Sequence, residues 1–160
     1  RRNPDFFISF SFFYNKLLMD LYEHPAFLEI KQQDNNIIII WNFKEANAEN
    51  ILEKHKTIHK ILRETNKNFP RCPINYLIVL EAGICNIIQL QHNSKAPAFI
   101  MQSDMIERTQ KVISRIDGAN YPQIMFTHDF YKLLPAEVKE KIFYPYYFFH
   151  ICCYSFKPHH

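Results

Sequence analysis

The chain has 160 residues, 48% apolar and 22% charged with a formal net charge of +3, which is the profile of one soluble domain. It holds 25 aromatics but only 2 glycines, against roughly 11 expected at average usage. A Walker A loop, a G-x-G-x-x-G turn and a G-x-S-x-G elbow each need two glycines close together, and Gly83 and Gly118 lie 35 residues apart, so all three are excluded.

The aromatics concentrate at the ends. Residues 1–22 and 143–160, 40 in all, carry 15 of them. Residues 23–142 have a net charge of +1, without the basic stripe of a nucleic-acid surface. Arg1-Arg2 ahead of the apolar run Phe6–Tyr14 admits a signal peptide, a membrane anchor, a genuine N-terminal helix, or translated non-coding sequence upstream of Met19. Asp5, Asn15-Lys16 and the lack of a small-residue cleavage site disfavour a signal peptide. The run is also about half the ~18 residues needed to span a bilayer. Tyr144–His160 is rich in Phe, Tyr, His and Cys with little periodicity, as a frameshift or fragment would be. The expectation is one domain over 23–143, flanked by 1–22 and 144–160, with Met19–Phe143 able to fold by itself.

In chain order, Ala26–Gln32 alternates apolar and polar and predicts a half-buried strand. Asp34-Asn35-Asn36 is turn chemistry. Ile37–Phe43 is a β-branched and aromatic run of strand length, which completes a hairpin. A helix follows over Ala48–Asn66, with Asn47 as N-cap and Glu49 in its first turn. Ile51, Leu52, His55, Ile58, His59 and Leu62 form its apolar stripe. Phe69-Pro70-Arg71-Cys72-Pro73 is a loop. Asn75–Leu80 and Ala98–Gln102 predict buried strands, and Ile84–Gln91 is either helix or strand. Ser103-Asp104 predicts the cap of a helix over Met105–Ile116, with Asp104 and Glu107 at capping-box spacing. Gln123–Thr127 predicts a last strand. Asp129 opens a helix, with a second piece from Pro135 to Ile142. Strands alternating with amphipathic helices imply α/β: a mainly parallel sheet of four to five strands with a β-hairpin edge, covered by three to four helices.

Few residues carry chemistry. His55 and His59 stand at i, i+4, a spacing that lets two rings reach one metal. Lys56, however, replaces the Glu of H-E-x-x-H, and packing against the sheet is the favoured reading. Cys72, Cys85, Cys152 and Cys153 form no C-x-x-C and read as free thiols in a reducing compartment. Cys85 with His92 or His128 is the nucleophile–base candidate. Ligands in open α/β sheets bind outside the carboxyl ends of the strands. Those ends offer Glu81, Gln102-Ser103-Asp104 and Thr127-His128-Asp129, so Glu81, Asp104 and His128 are the acid/base candidates. Against that, Asp104 and Asp129 already suit N-caps. No cofactor is expected.

The hairpin, the long helix and three β–α steps, with strand AFIMQSD, helix MIERTQKVISRI and the proline-led strand PQIMFT, resemble the STAS-type domains of bacterial anti-sigma-factor antagonists and their Sec14-like relatives over roughly 26–142. Phospho-regulated members carry a D-S-S-G-type segment after the central strand. The matching place here reads Leu80-Glu81-Ala82-Gly83-Ile84-Cys85, with the glycine and without the serine. The resemblance implies a cytoplasmic, non-enzymatic regulator without the phosphoswitch, acting on a protein partner or as a homodimer. The charge distribution leads to the expectation of no nucleic acid, and the short apolar run disfavours a membrane. Two alternatives stand beside it: a small enzyme using the strand-end acids, and a membrane-associated or assembly subunit docking through the aromatic termini.

Overall fold

The structure, a computed structural model, describes residues 4–33, 36–43, 47–84, 86–90, 98–102, 104–116, 122–148 and 151–156. The chain forms two compact units, Arg1–Tyr76 and Leu77–His160. The borders expected from composition fall elsewhere, at the end of the first helix and inside a strand.

The first unit runs α1 (Pro4–Tyr22), β1 (Phe27–Gln33), β2 (Asn36–Trp41) and α2 (Ala48–Asn68). The aromatic N-terminal run is a helix because its buried positions, Ser9, Phe13, Leu17 and Leu21, recur every four residues and make one apolar face. Asp20 on α1 pairs with Lys54 on α2 at 2.9 Å. β1 and β2 form the expected antiparallel hairpin, with a register shift between Phe27 and Glu29. α2 starts where its cap predicts, since the Asn47 side chain accepts a 2.9 Å hydrogen bond from the Asn50 amide. Ile51, Leu52, His55, Ile58 and Leu62 of its stripe are buried. The loop beyond α2 is tied back by the Asn66 side chain, which both donates to the Ile74 carbonyl and accepts from the Ile74 amide.

The second unit runs β3 (Ile78–Leu80), β4 (Asn86–Leu90), β5 (Ala98–Gln102), α3 (Asp104–Arg115), β6 (Ile124–Thr127), α4 (His128–Tyr131), α5 (Ala136–Lys139), β7 (Ile142–Phe148) and β8 (Ile151–Phe156). The ambiguous stretch near Ile84–Gln91 is strand β4, which pairs antiparallel with β5. The architecture is α/β, but the expected mainly parallel sheet is corrected. A four-stranded sheet has the order β3-β6-β8-β7, and only β3 and β6 are parallel. The strand and helix pattern is close to the expected one; the pairing is different. β4 and β5 satisfy each other as a hairpin, β1 and β2 do the same in the first unit, and the C-terminal residues supply two antiparallel strands.

The helix expected from Pro135 to Ile142 is also shorter. Pro135 caps α5, and pairing with β8 takes over from Ile142. Pro145 has no amide to give to a ladder. It sits on the sheet's outermost strand, inside the register shift between Phe143 and Tyr146, a place where proline is tolerated.

The two faces of this sheet differ. Val112 of α3, Met125 and Cys153 form a buried cluster, with Leu77, Val79, Ile116, Tyr146 and Ile151 packed on it. On the other face Phe126, fully buried, meets Phe130 of α4 and the rings of Tyr154 and Phe156. Period-2 alternation along β6 and β8 produces this division.

Candidate functional site

The parallel register of β3 and β6 pairs Leu80 with Phe126, so the next residues along, Glu81 and Thr127, leave the sheet side by side. They sit at the carboxyl ends of the only parallel strands among the described residues. Glu81 has a side chain only 5% exposed, and both its oxygens are engaged. Oε1 accepts from the Thr127 hydroxyl at 2.6 Å and from the Ala82 amide at 3.1 Å. Oε2 accepts from Arg108 Nε at 3.2 Å.

Arg108 reaches this point from the second turn of α3. Its Nη2 donates to Asp129 Oδ2 at 3.2 Å, so one guanidinium bridges two carboxylates. Lys132 holds the other Asp129 oxygen at 3.0 Å. That bond and the nearby cations keep the Asp129 carboxyl below the usual range, in spite of some burial. The network therefore contains two carboxylates and two cations. The loop after β3 approaches the start of α3 closely: a Cβ on Gly83 would stand 3.1 Å from the Met105 sulfur.

Asp129, expected as an N-cap, lies one residue inside α4, whose cap is Thr127, and its charge serves the ion pairs. Asp104 is the exposed first residue of α3 and takes no part in the contacts described for Glu81, Arg108 or Asp129. Ser103, Cys85 and His92 lie outside the described residues.

His128 goes the other way. Its Nδ1 is 2.9 Å from the Tyr154 hydroxyl, and Tyr154 is the register partner of Phe126, on the aromatic face. Burial and neighbouring groups push the Tyr154 phenol up to about 12, so at neutral pH it keeps its proton. Tyr131 stacks on Tyr154 with centroids 4.1 Å apart, and Lys139 lies 5.1 Å from the Tyr131 ring centre. The structure thus brings Glu81 and Asp129 together around Arg108 and leads His128 to a separate aromatic stack.

A general acid or base needs a reachable oxygen and a pKa near the working pH. Glu81 offers neither oxygen free, and Asp129 is moved away from neutrality. Cys153 lies on the face of Met125 and Thr127. Burial, with the charges of Cys152 and Glu81, pushes its thiol up to about 12, which keeps it a protonated core residue.

In the first unit, His55 is buried and its Nδ1–H donates to the Ile51 carbonyl at 2.8 Å. His59 bonds through Nδ1 to the Tyr76 hydroxyl, whose pKa burial raises to about 12. The pair that spacing offered to a metal has both Nδ1 atoms engaged. Among the described residues no three His, Cys, Asp or Glu side chains gather in a metal-holding group, and no helix is long and apolar enough to cross a membrane.

Arg108, Lys132 and Tyr154 were not singled out in the sequence. The available signal was topological: α3 lies in the connection that returns the chain from β3 to the parallel strand β6. No protein-family model matches the chain, and no curated protein or solved structure matches it.

Proposed function

We propose that the chain is a non-enzymatic, protein-binding regulator, the role implied by its resemblance to STAS-type domains, with no phosphorylatable serine after β3. The observation that supports this reading is the state of the strand-end acids. Glu81 is closed off by Thr127, Ala82 and Arg108, and Asp129, though exposed, is ion-paired on both oxygens by Arg108 and Lys132. A carboxylate held on both oxygens by the fold acts as a structural pin. The reading keeps the binding role of that resemblance and drops its mainly parallel sheet.

The test compares the wild-type chain with Glu81→Gln and His128→Ala against chromogenic ester, phosphate and glycoside substrates, with stability measured in parallel. The expected result is no turnover by any of the three and a loss of stability in Glu81→Gln. Turnover by the wild type that falls at least tenfold in either variant would establish the acid/base alternative instead.

A second reading, assembly through the aromatic ends, draws on α1, where Phe7, Ile8, Met19 and Tyr22 are each more than half exposed. Light scattering on the full chain, compared with an Ile8→Lys/Met19→Lys variant, tests it. A dimer that dissociates in the variant supports homodimerisation through α1, and a monomer in both rejects it.

A further inference from the structure

The first unit holds a ring stack centred on Trp41. Trp41 closes β2. Its indole meets His24 at 5.1 Å, Phe27 at 6.0 Å and His55 of α2 at 6.0 Å, all edge to face. His24 in turn accepts the Ala26 amide on Nδ1, which fixes the chain just ahead of β1. The Trp41 Nε1–H is shielded from solvent with no hydrogen-bond partner among the described residues. His55 is 6% exposed and is anchored to its own helix through the Ile51 carbonyl. The contact between hairpin and helix therefore combines a neutral imidazole, which burial requires to stay neutral, with a buried donor that water would satisfy.

We propose that this stack is an acid-operated latch: protonation of His55 releases the β1–β2 hairpin from α2. A buried imidazolium lacks the solvation it would have in water, and opening restores it. Opening also gives the Trp41 N–H a water acceptor. Burial lowers the basicity of His55 to about 4 in the closed form, opposed only by the Ile51 hydrogen bond. The titratable groups on the surrounding elements include His24 against Trp41, Asp20 of α1 in its pair with Lys54, Glu29 with Lys31 on β1, and His59 with Arg63 along α2. None of them adds a charge effect to His55.

The sign follows from linkage. The open form binds the proton with ordinary affinity, so opening grows as pH falls below about 6.5 and saturates below about 4. That gap corresponds to a rise in the opening constant on the order of 300-fold.

The test is amide hydrogen exchange on the full chain between pH 7 and pH 4, corrected for intrinsic rates. The expected result is faster exchange at the amides of β1 and β2, with α2 still protected. His55→Leu should abolish the acceleration and His24→Gln should keep it. An acceleration that persists in His55→Leu, follows His24, or engulfs α2 at the same pH overturns the latch. NMR titration of the wild-type His55 ring covers the case in which His55→Leu does not fold. A midpoint well below 6.5, moving with hairpin opening, supports the latch, and one at or above 6.5 refutes it.

Discussion

Truncating Glu81 tests whether the strand-end cluster is a structural pin. Glu81→Ala removes the acceptor of the Thr127 hydroxyl and of the Ala82 amide, on residues only 2% and 7% exposed. Each buried donor left without a partner costs about 1–3 kcal/mol. Arg108 is 40% exposed, so water replaces much of what it loses, and its share is discounted to under about 1 kcal/mol. Removing a nearly buried carboxylate recovers part of its desolvation, which offsets the total. The net loss should be about 2–3 kcal/mol. Thr127→Val alone should cost about 1 kcal/mol, and the two changes should be coupled by about 1–2 kcal/mol in a double-mutant cycle. Urea denaturation followed by circular dichroism gives these energies, and amide exchange at residues 77–84 and 122–131 shows where they act. A loss below about 0.5 kcal/mol for Glu81→Ala, or additive single changes, would refute the pin and return Glu81 to candidacy as a catalytic acid.

Three further outcomes follow from the same contacts. Asn47→Ala should lower stability by about 1 kcal/mol through loss of the α2 cap, measured by thermal or urea unfolding, with Asn47→Asp largely neutral. Asp129 has a folded pKa below its unfolded value of 3.8, so its contribution is present above that pH and fades as pH falls through the folded value. Asp129→Asn should therefore flatten the stability loss below pH 4, while the window between about 6.5 and 4, assigned to His55, stays unchanged. Cys153, fully buried with a thiol pKa near 12, should be silent to an aromatic disulfide reagent at pH 8. Cys153→Ser should then leave the native-state thiol titre unchanged, and a drop of one equivalent would contradict its burial.

Local signals in the sequence were legible where one element answers for itself. Asn47 and the stripe from Ile51 to Leu62 locate α2, and Ala98–Gln102 is a strand of those bounds. Pairing is a property of two elements, and periodicity carries no information on it. Nothing in NIIQL or AFIMQ says that these strands choose each other over a central parallel sheet. The C-terminal strands were hidden for a different reason. In IFYPYYF every side chain but the proline is large and apolar or aromatic, so no alternation shows, and Pro145 argues against a strand unless its edge position is already known.

The candidate site shows the same limit more sharply. Glu81 and the Thr127-His128-Asp129 run were readable as strand ends, yet their partition was not. Adjacent residues on a strand face opposite sides, so one residue of register decides that Thr127 joins Glu81 while Phe126 and Tyr154 lie opposite, where His128 follows them. The acid and the imidazole that sequence alone would join in one acid/base site are thereby divided between the ion-pair cluster and the aromatic stack. This division bears against the acid/base alternative in which Glu81 and His128 act together. It depends on the 78↔124 register rather than on any missing motif. A one-residue slip of β3 would turn Glu81 away from Thr127 and Arg108 and leave its carboxylate unpaired, so the network also fixes the pairing that creates it.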